Sequence, residues 1–265
     1  MAISSYKFKI MNIKNILILL FTVIIGFTSC KKDEVINSTE KGAFTIEFEN
    51  EVNGAPLVLN SQNYMNANGD SYNISVFKYY VSNIKLTKTD GTVYSLPESY
   101  ILVDAAKPSS FLTNFKDIPA ADYTKISFII GVDKERNLAG AQTGALDPAL
   151  GMFWTWNSGY IFVKLEGTSP QSTAANNALT FHIGGIVDPN NTIRTFSTDF
   201  STGNPLRIRA DKNPQVHFTA NAGSLFSGKQ NISFASLNFT MGGANSVLVA
   251  DNYATSLFEF EHIHN

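Results

Sequence analysis

The sequence predicts an all-β protein: a single β-sandwich of about ten strands with long loops. Three observations carry this. Apolar and polar residues alternate over most of the chain, which is the period of a pleated strand. Turn-forming clusters separate the alternating runs at Asn53-Gly54, Asn68-Gly69-Asp70, Asp90-Gly91, Asp188-Pro189-Asn190-Asn191 and Gly203-Asn204-Pro205. The composition is rich in residues that suit pleated surfaces, with 20 Phe and 10 Tyr among 265 residues and only 16% charged.

The elements follow in order. Ala43–Phe48 puts Phe44, Ile46 and Phe48 on one face. Ile74–Val81 and Ile84–Thr87 alternate in the same way. Tyr123–Ile130 and Tyr160–Leu165 are more continuously apolar, as strands buried on both faces are. Ala178–Ile183, Leu206–Ala210, Gln215–Ala220, Ser233–Met241 and Ser256–His264 complete the set. Helical signals are few. Pro108–Asn114, opened by Pro-Ser-Ser, and Asn221–Phe226 read as short helical turns.

The N-terminus reads as a targeting signal. Lys7, Lys9 and Lys14 form a basic leader, followed by an apolar run from Ile16 to Phe27 that is short for a membrane span. It ends in Phe27-Thr28-Ser29-Cys30, a lipobox in which small residues precede the single cysteine of the chain. Residues 1–29 are therefore read as a lipoprotein signal peptide and Cys30 as the lipidated residue that anchors the protein to a membrane. Residues 30–42 are a polar, flexible tether, and 43–265 are the folded domain. A lone cysteine so placed leaves none for disulfides or thiolate metal sites in the mature domain. Lys31-Lys32-Asp33-Glu34 resembles the surface-export signal of Bacteroidetes lipoproteins. The expected location is the outer membrane, facing the periplasm or the cell surface. Losing the three leader lysines takes the formal net charge from −2 to −5. That balance argues against nucleic acid as a partner, which calls for a basic footprint.

No catalytic residue is assigned. The chain has no Gly-x-Ser-x-Gly, no His-Glu-x-x-His, no phosphate loop and no dinucleotide fingerprint, and it is not read as an enzyme. Asp133 and Asp147 sit in turns and are explained by capping. Asn66-Ala-Asn-Gly-Asp70 is oxygen-rich but lacks the spacing of an EF-hand loop.

Histidine is scarce, with His182, His217, His262 and His264 only. His262 and His264 are expected on one strand face, in line with Phe258 and Phe260, with Cα atoms about 6.6 Å apart. That spacing lets two imidazoles converge on one ion, and it equally describes the polar end of an exposed terminal strand. His182 alternates with Phe181 and Ile183, and His217 with Val216 and Phe218. Each is either a further ligand or a hydrogen-bonded strand histidine.

Both tryptophans fall in Gly151-Met-Phe-Trp-Thr-Trp-Asn-Ser-Gly-Tyr160. In an extended strand, Met152, Trp154 and Trp156 share a face. This segment resembles the MbnP-like family of copper-binding proteins, found beside methanobactin genes and as lipoproteins of Bacteroidetes-type bacteria. Other matches follow in family order: Phe44-Thr-Ile-Glu-Phe-Glu-Asn50 with Gly54-Ala-Pro-Leu57, Lys78-Tyr-Tyr-Val-Ser-Asn-Ile-Lys-Leu86, Phe128-Ile-Ile-Gly-Val-Asp133, Phe181-His-Ile-Gly184 and Phe258-Glu-Phe-Glu-His-Ile-His264. Together they span nearly everything after residue 43. The resemblance implies a β-sandwich that holds copper through histidines and, in some members, through a kynurenine made from tryptophan by a dihaem peroxidase of the MbnH/MauG type. It makes His262, His264, His182, His217 and Met152 candidate ligands, and Trp154 and Trp156 candidates for oxidation. It also implies a histidine after Phe48-Glu49, where this chain has Asn50. The alternative is a surface lipoprotein that binds glycan or protein partners without a functional metal site.

Overall fold

The computed structural model describes residues 39–154, 159–201 and 203–265. The leader, Cys30 and most of the tether lie outside the described residues, as does Trp156. Among the described residues the strands are, in order, β1 (Lys41–Val52), β2 (Ala55–Pro56), β3 (Asn63–Met65), β4 (Ser71–Lys88), β5 (Val93–Ser95), β6 (Tyr100–Asp104), β7 (Leu112–Pro119), β8 (Ala121–Ile130), β9 (Phe153–Trp154), β10 (Gly159–Tyr160), β11 (Val163–Thr168), β12 (Ala178–Ile183), β13 (Arg194–Asp199), β14 (Leu206–Ile208), β15 (Gln215–Asn221), β16 (Phe239–Met241) and β17 (Phe258–His264). Two α-helices accompany them, α1 (Lys134–Leu138) and α2 (Gly243–Tyr253). No helix among the described residues is long and apolar enough to cross a membrane.

The protein is mainly β, with a curled, half-barrel mixed sheet and a second, smaller sheet. The large sheet runs β13-β8-β4-β11-β12-β16, with β14 added on β8 and β3, β5 and β6 on β4. The small sheet runs β17-β15-β1-β2, with β7 on β1; β1 and β15 are parallel, and β15 and β17 antiparallel. A separate hairpin pairs β9 with β10.

The alternation of β1 decides how the sheets share a core. Phe44, Ile46 and Phe48 are fully buried. The Phe48 ring stands 6.0 Å from Tyr79 and 6.3 Å from Phe128 of the large sheet, and 5.7 Å from Phe218 and 5.5 Å from Phe258 of its own. The large sheet is buried on its other face too. Tyr80, next to Tyr79, joins a second cluster with Met152, Trp154, Tyr160 and Phe162. A strand buried on both faces needs the continuous apolar run seen in Tyr79-Tyr80-Val81.

Several elements differ from the sequence expectation. The two expected strands over residues 74–87 are one, β4, and the interruption between them is Asn83 at φ +53, where the pairing with β8 shifts register. Asparagine tolerates that left-handed conformation, so the strand bends there without ending. Of the expected strand Ser233–Met241, only β16 forms. The N–H groups of Ser236 and Leu237 turn back to the Ser233 carbonyl at 3.1 and 2.9 Å. The short helical turns expected near 108 and 222 are present as 3₁₀ turns at Pro108–Ser110 and Ala222–Leu225. Helix α2 has no counterpart in the sequence reading. Its buried residues Ser246, Val249, Ala250 and Tyr253 keep helical spacing, but a serine in the stripe and weak helix formers around it hide the pattern. The Ser246 hydroxyl is satisfied by the Gly242 N–H at 2.9 Å and by Thr240 Oγ1 at 3.0 Å.

Candidate metal centre

The outward face of the small sheet carries the cluster. On β15, Val216, Phe218 and Ala220 are fully buried, so Gln215, His217 and Thr219 face away from the core. The parallel pairing with β1 sets Glu47 beside His217, and the antiparallel pairing with β17 sets His262 on its other side. A bulge on β17 decides the rest. Pairing passes from His217↔His262 to Phe218↔Phe260, leaving Glu261 as the extra residue. The bulge inverts the strand, so Phe258 and Ile263 point into the core while His262 and His264 are exposed. The expectation that the two histidines share a face with Phe258 and Phe260 is thereby corrected. The sequence held one signal of it: apolar residues at 258, 260 and 263 break the strict alternation.

Three imidazoles converge here. The His217 and His262 rings stack at 4.4 Å between centroids with 16° between planes, and His264 stands edge-on to both at 5.0 and 4.6 Å. His262 Nε2 lies 3.0 Å from His264 Nε2. One potential ligand atom from each of the three lies within 4.8 Å of the others. A spacing near 3 Å is what two nitrogens keep when both bind one ion at about 2.0–2.1 Å. His217 Nδ1 lies 3.0 Å from Glu47 Oε2, and Gln215 Nε2 donates to the same oxygen. The other His217 nitrogen, Nε2, is buried with no hydrogen-bond partner among the described residues. A carboxylate on Nδ1–H fixes the tautomer in which Nε2 carries the free lone pair. Burial pushes His217 below its ordinary value; Glu47 opposes this, and His262 and His264 lower it further. A neutral imidazole is the state a metal needs. Glu47, Glu49 and His217 form a second group of converging ligand atoms that shares His217. The glutamates were absent from the sequence reading, because only the parallel register brings β1 beside β15.

The other sequence candidates lie elsewhere. His182, on β12 of the large sheet, pairs through Nε2 with Glu166 at 2.7 Å, and Lys164 reaches the same oxygen at 3.2 Å. Burial lowers its pKa despite the Glu166 bond. Met152 is fully buried in the apolar cluster that holds Trp154. His182 does not belong to the converging histidine group. Asn50, where the resemblance implies a histidine, is on the inner side of β1, and its amide atoms are buried without partners among the described residues. Asp133 and Asp147 do cap, accepting from the Arg136 and Ala149 amides at 3.1 and 2.8 Å.

Trp154 is 5% exposed. Its ring lies flush on Gly184, where a Cβ would meet indole carbons at 2.8 and 2.9 Å and the Tyr160 carbonyl oxygen at 2.6 Å. Trp154→Ala is expected to cost about 3–5 kcal/mol, measured by denaturant unfolding. A loss below about 1 kcal/mol would show that the indole is not a core anchor.

The MbnP family model matches residues 41–245. This chain belongs to the MbnP family, whose members are methanobactin-associated copper proteins. The matched residues include His182 and His217 and stop short of His262 and His264. Among solved structures, MbnP from Methylosinus trichosporium is similar at 14% identity over 71% of this chain and 78% of that one, with a TM-score of 0.46. No curated protein matches the sequence.

Proposed function

We propose that this MbnP-family protein is a copper-binding, non-catalytic lipoprotein, its ion held by His217, His262 and His264 on the outward face of the small sheet. The observation that supports this best is the convergence of three imidazoles with a carboxylate behind one of them. Imidazole suits copper and other late transition metals, whereas Mg²⁺ and Ca²⁺ favour oxygen. Glu47 holds His217 in its ligating tautomer, and Gln215 holds Glu47. The family supplies the choice of copper among the metals that three histidines accept. In this reading residues 1–29 are removed, Cys30 carries the lipid, and the domain from about residue 43 is displayed at the outer membrane with its two sheets packed as a sandwich through Phe48. A dihaem peroxidase of the MbnH type is the proposed partner, with Trp154 and Trp156 as the candidates for oxidation.

The test is electron paramagnetic resonance of the copper(II)-loaded domain. Hyperfine coupling to several imidazole nitrogens is expected, reduced in number when His217 is replaced by alanine. A spectrum without nitrogen coupling would overturn the assignment and leave the metal-free binding module as the better reading.

A separate pH dependence is expected from His182. In the fold, burial holds it below 6.5, its ordinary value, so the unfolded chain takes up this proton more readily. Stability from this residue is therefore complete above about pH 6.5 and declines as pH falls below it. His182→Gln retains a donor toward Glu166 without titrating. Its melting temperature should fall less than that of the natural protein between pH 7 and pH 5; parallel curves would exclude the residue as the cause.

A further inference from the structure

A second site lies on the large sheet, independent of the histidine cluster. A cavity of about 550 Å³ opens beside Trp154. Leu138, Trp154, Ile186, Val187 and Met241 give it apolar walls, with Asn137, Asp188 and Asn190 as the polar side chains of the lining. Leu138 and Val187 are 67% and 63% exposed, so two of the most water-exposed large apolar side chains among the described residues stand at one opening. Exposed apolar surface around a concavity is a mark of binding.

Two groups at this cavity can donate to an oxygen acceptor. The first is Asn137. It lines the cavity and is 4% exposed. Its Oδ1 accepts from the Tyr160 N–H at 3.3 Å, while its Nδ2 has no partner among the described residues. A buried amide donor left so is costly unless something supplies an oxygen. The second is the N-terminus of α2, whose Gly242 and Gly243 also line the cavity. This helix has no side-chain cap and no acidic residue in its first turn. Its first N–H groups therefore present the positive end of an eleven-residue helix. The acid among the lining residues, Asp188, is exposed to water at the rim, where solvent screens it.

Apolar walls with donors at the base fit a ligand that is apolar along its body and carries oxygen acceptors at one end. We propose that this cavity binds a small amphipathic carboxylate, its body against Trp154, Ile186 and Val187 and its carboxylate on Asn137 Nδ2 and the α2 N-terminus. A free fatty acid and the C-terminus of an apolar peptide share this chemistry.

Calorimetry and tryptophan fluorescence with octanoate, 1-octanol, and a short apolar peptide in free-acid and amidated forms test it. Octanoate is expected to bind at least about tenfold more tightly than octanol, the worth of a charge-assisted hydrogen bond. Asn137→Asp keeps the acceptor for Tyr160 and replaces the donor with a repelling charge. Asn245→Asp adds a carboxylate to the first turn of α2, which favours the helix, so its melting temperature should hold. Both variants should weaken octanoate at least about tenfold and leave octanol and copper binding unchanged. If the free-acid peptide outbinds octanoate, the source is a peptide terminus; the reverse order points to a fatty acid. Equal affinity for octanoate and octanol, equal affinity for acid and amide, unchanged binding in both variants, or no binding at millimolar octanoate would each overturn the proposal.

Discussion

Replacing His262 and His264 together by alanine is expected to weaken copper binding by more than about 100-fold. The scale follows from what surrounds a metal. Loss of a group that merely orients a ligand costs about 10–100-fold, and this double substitution removes two of the three proposed ligands. Both histidines are exposed on β17, so the fold should survive their loss. Glu47→Gln provides the graded companion. It keeps an oxygen beside His217 Nδ1, 3.0 Å away in the natural protein, but removes the charge, and it should cost about 10–100-fold. Titration of each purified variant with copper, followed by metal analysis after dialysis, reads both effects. Unchanged affinity and stoichiometry in the double variant would exclude the C-terminal histidines as ligands.

Phe48→Ala is expected to produce the largest loss of stability. The ring is fully buried and makes ring contacts to Tyr79 and Phe128 on one sheet and Phe218 and Phe258 on the other. Truncating a buried phenylalanine costs about 3–5 kcal/mol, partly lost transfer energy and partly the cavity left behind. Native domains are stable by only about 5–15 kcal/mol. In a domain of this size the melting temperature should fall by roughly 6–20 °C. Leu112→Ser, at a side chain 50% exposed, is the control and should change stability by less than about 0.5 kcal/mol. A Phe48→Ala variant that melts with the control would mean that the two sheets do not depend on this ring.

The sequence by itself determined much of this protein. Alternation at Phe44, Ile46 and Phe48 placed an apolar face on β1, and the same faces are buried in the structure. Ile74–Val81 was legible as a strand, but it read as a one-face alternation, and the burial of both Tyr79 and Tyr80 was not foreseen. Asp133 and Asp147 were legible as caps because capping acts over two or three residues. The Trp segment identified the family. Each of these is a local property, fixed by strand period, turn chemistry or a short motif, so it can be read without knowing what lies opposite.

What the tertiary structure decided is the site. Phe258, Phe260, His262 and His264 fall at every second position, and a regular strand would have set all four on one side; only Ile263, out of step with the two phenylalanines, hints otherwise. The bulge at Glu261 exists because β17 pairs with β15, where Val216 and Ile263 must both reach the core, and that demand comes from a strand more than forty residues away in the chain. Glu47 is farther still from His217, and only the parallel register of β1 and β15 makes them neighbours. His182 has the same local surroundings in sequence as His217, an apolar residue on each side, yet it lies on the large sheet and pairs with Glu166 of the neighbouring strand β11. Pairing between distant strands is a collective outcome of burying one shared core, and a window of neighbouring residues holds no record of it.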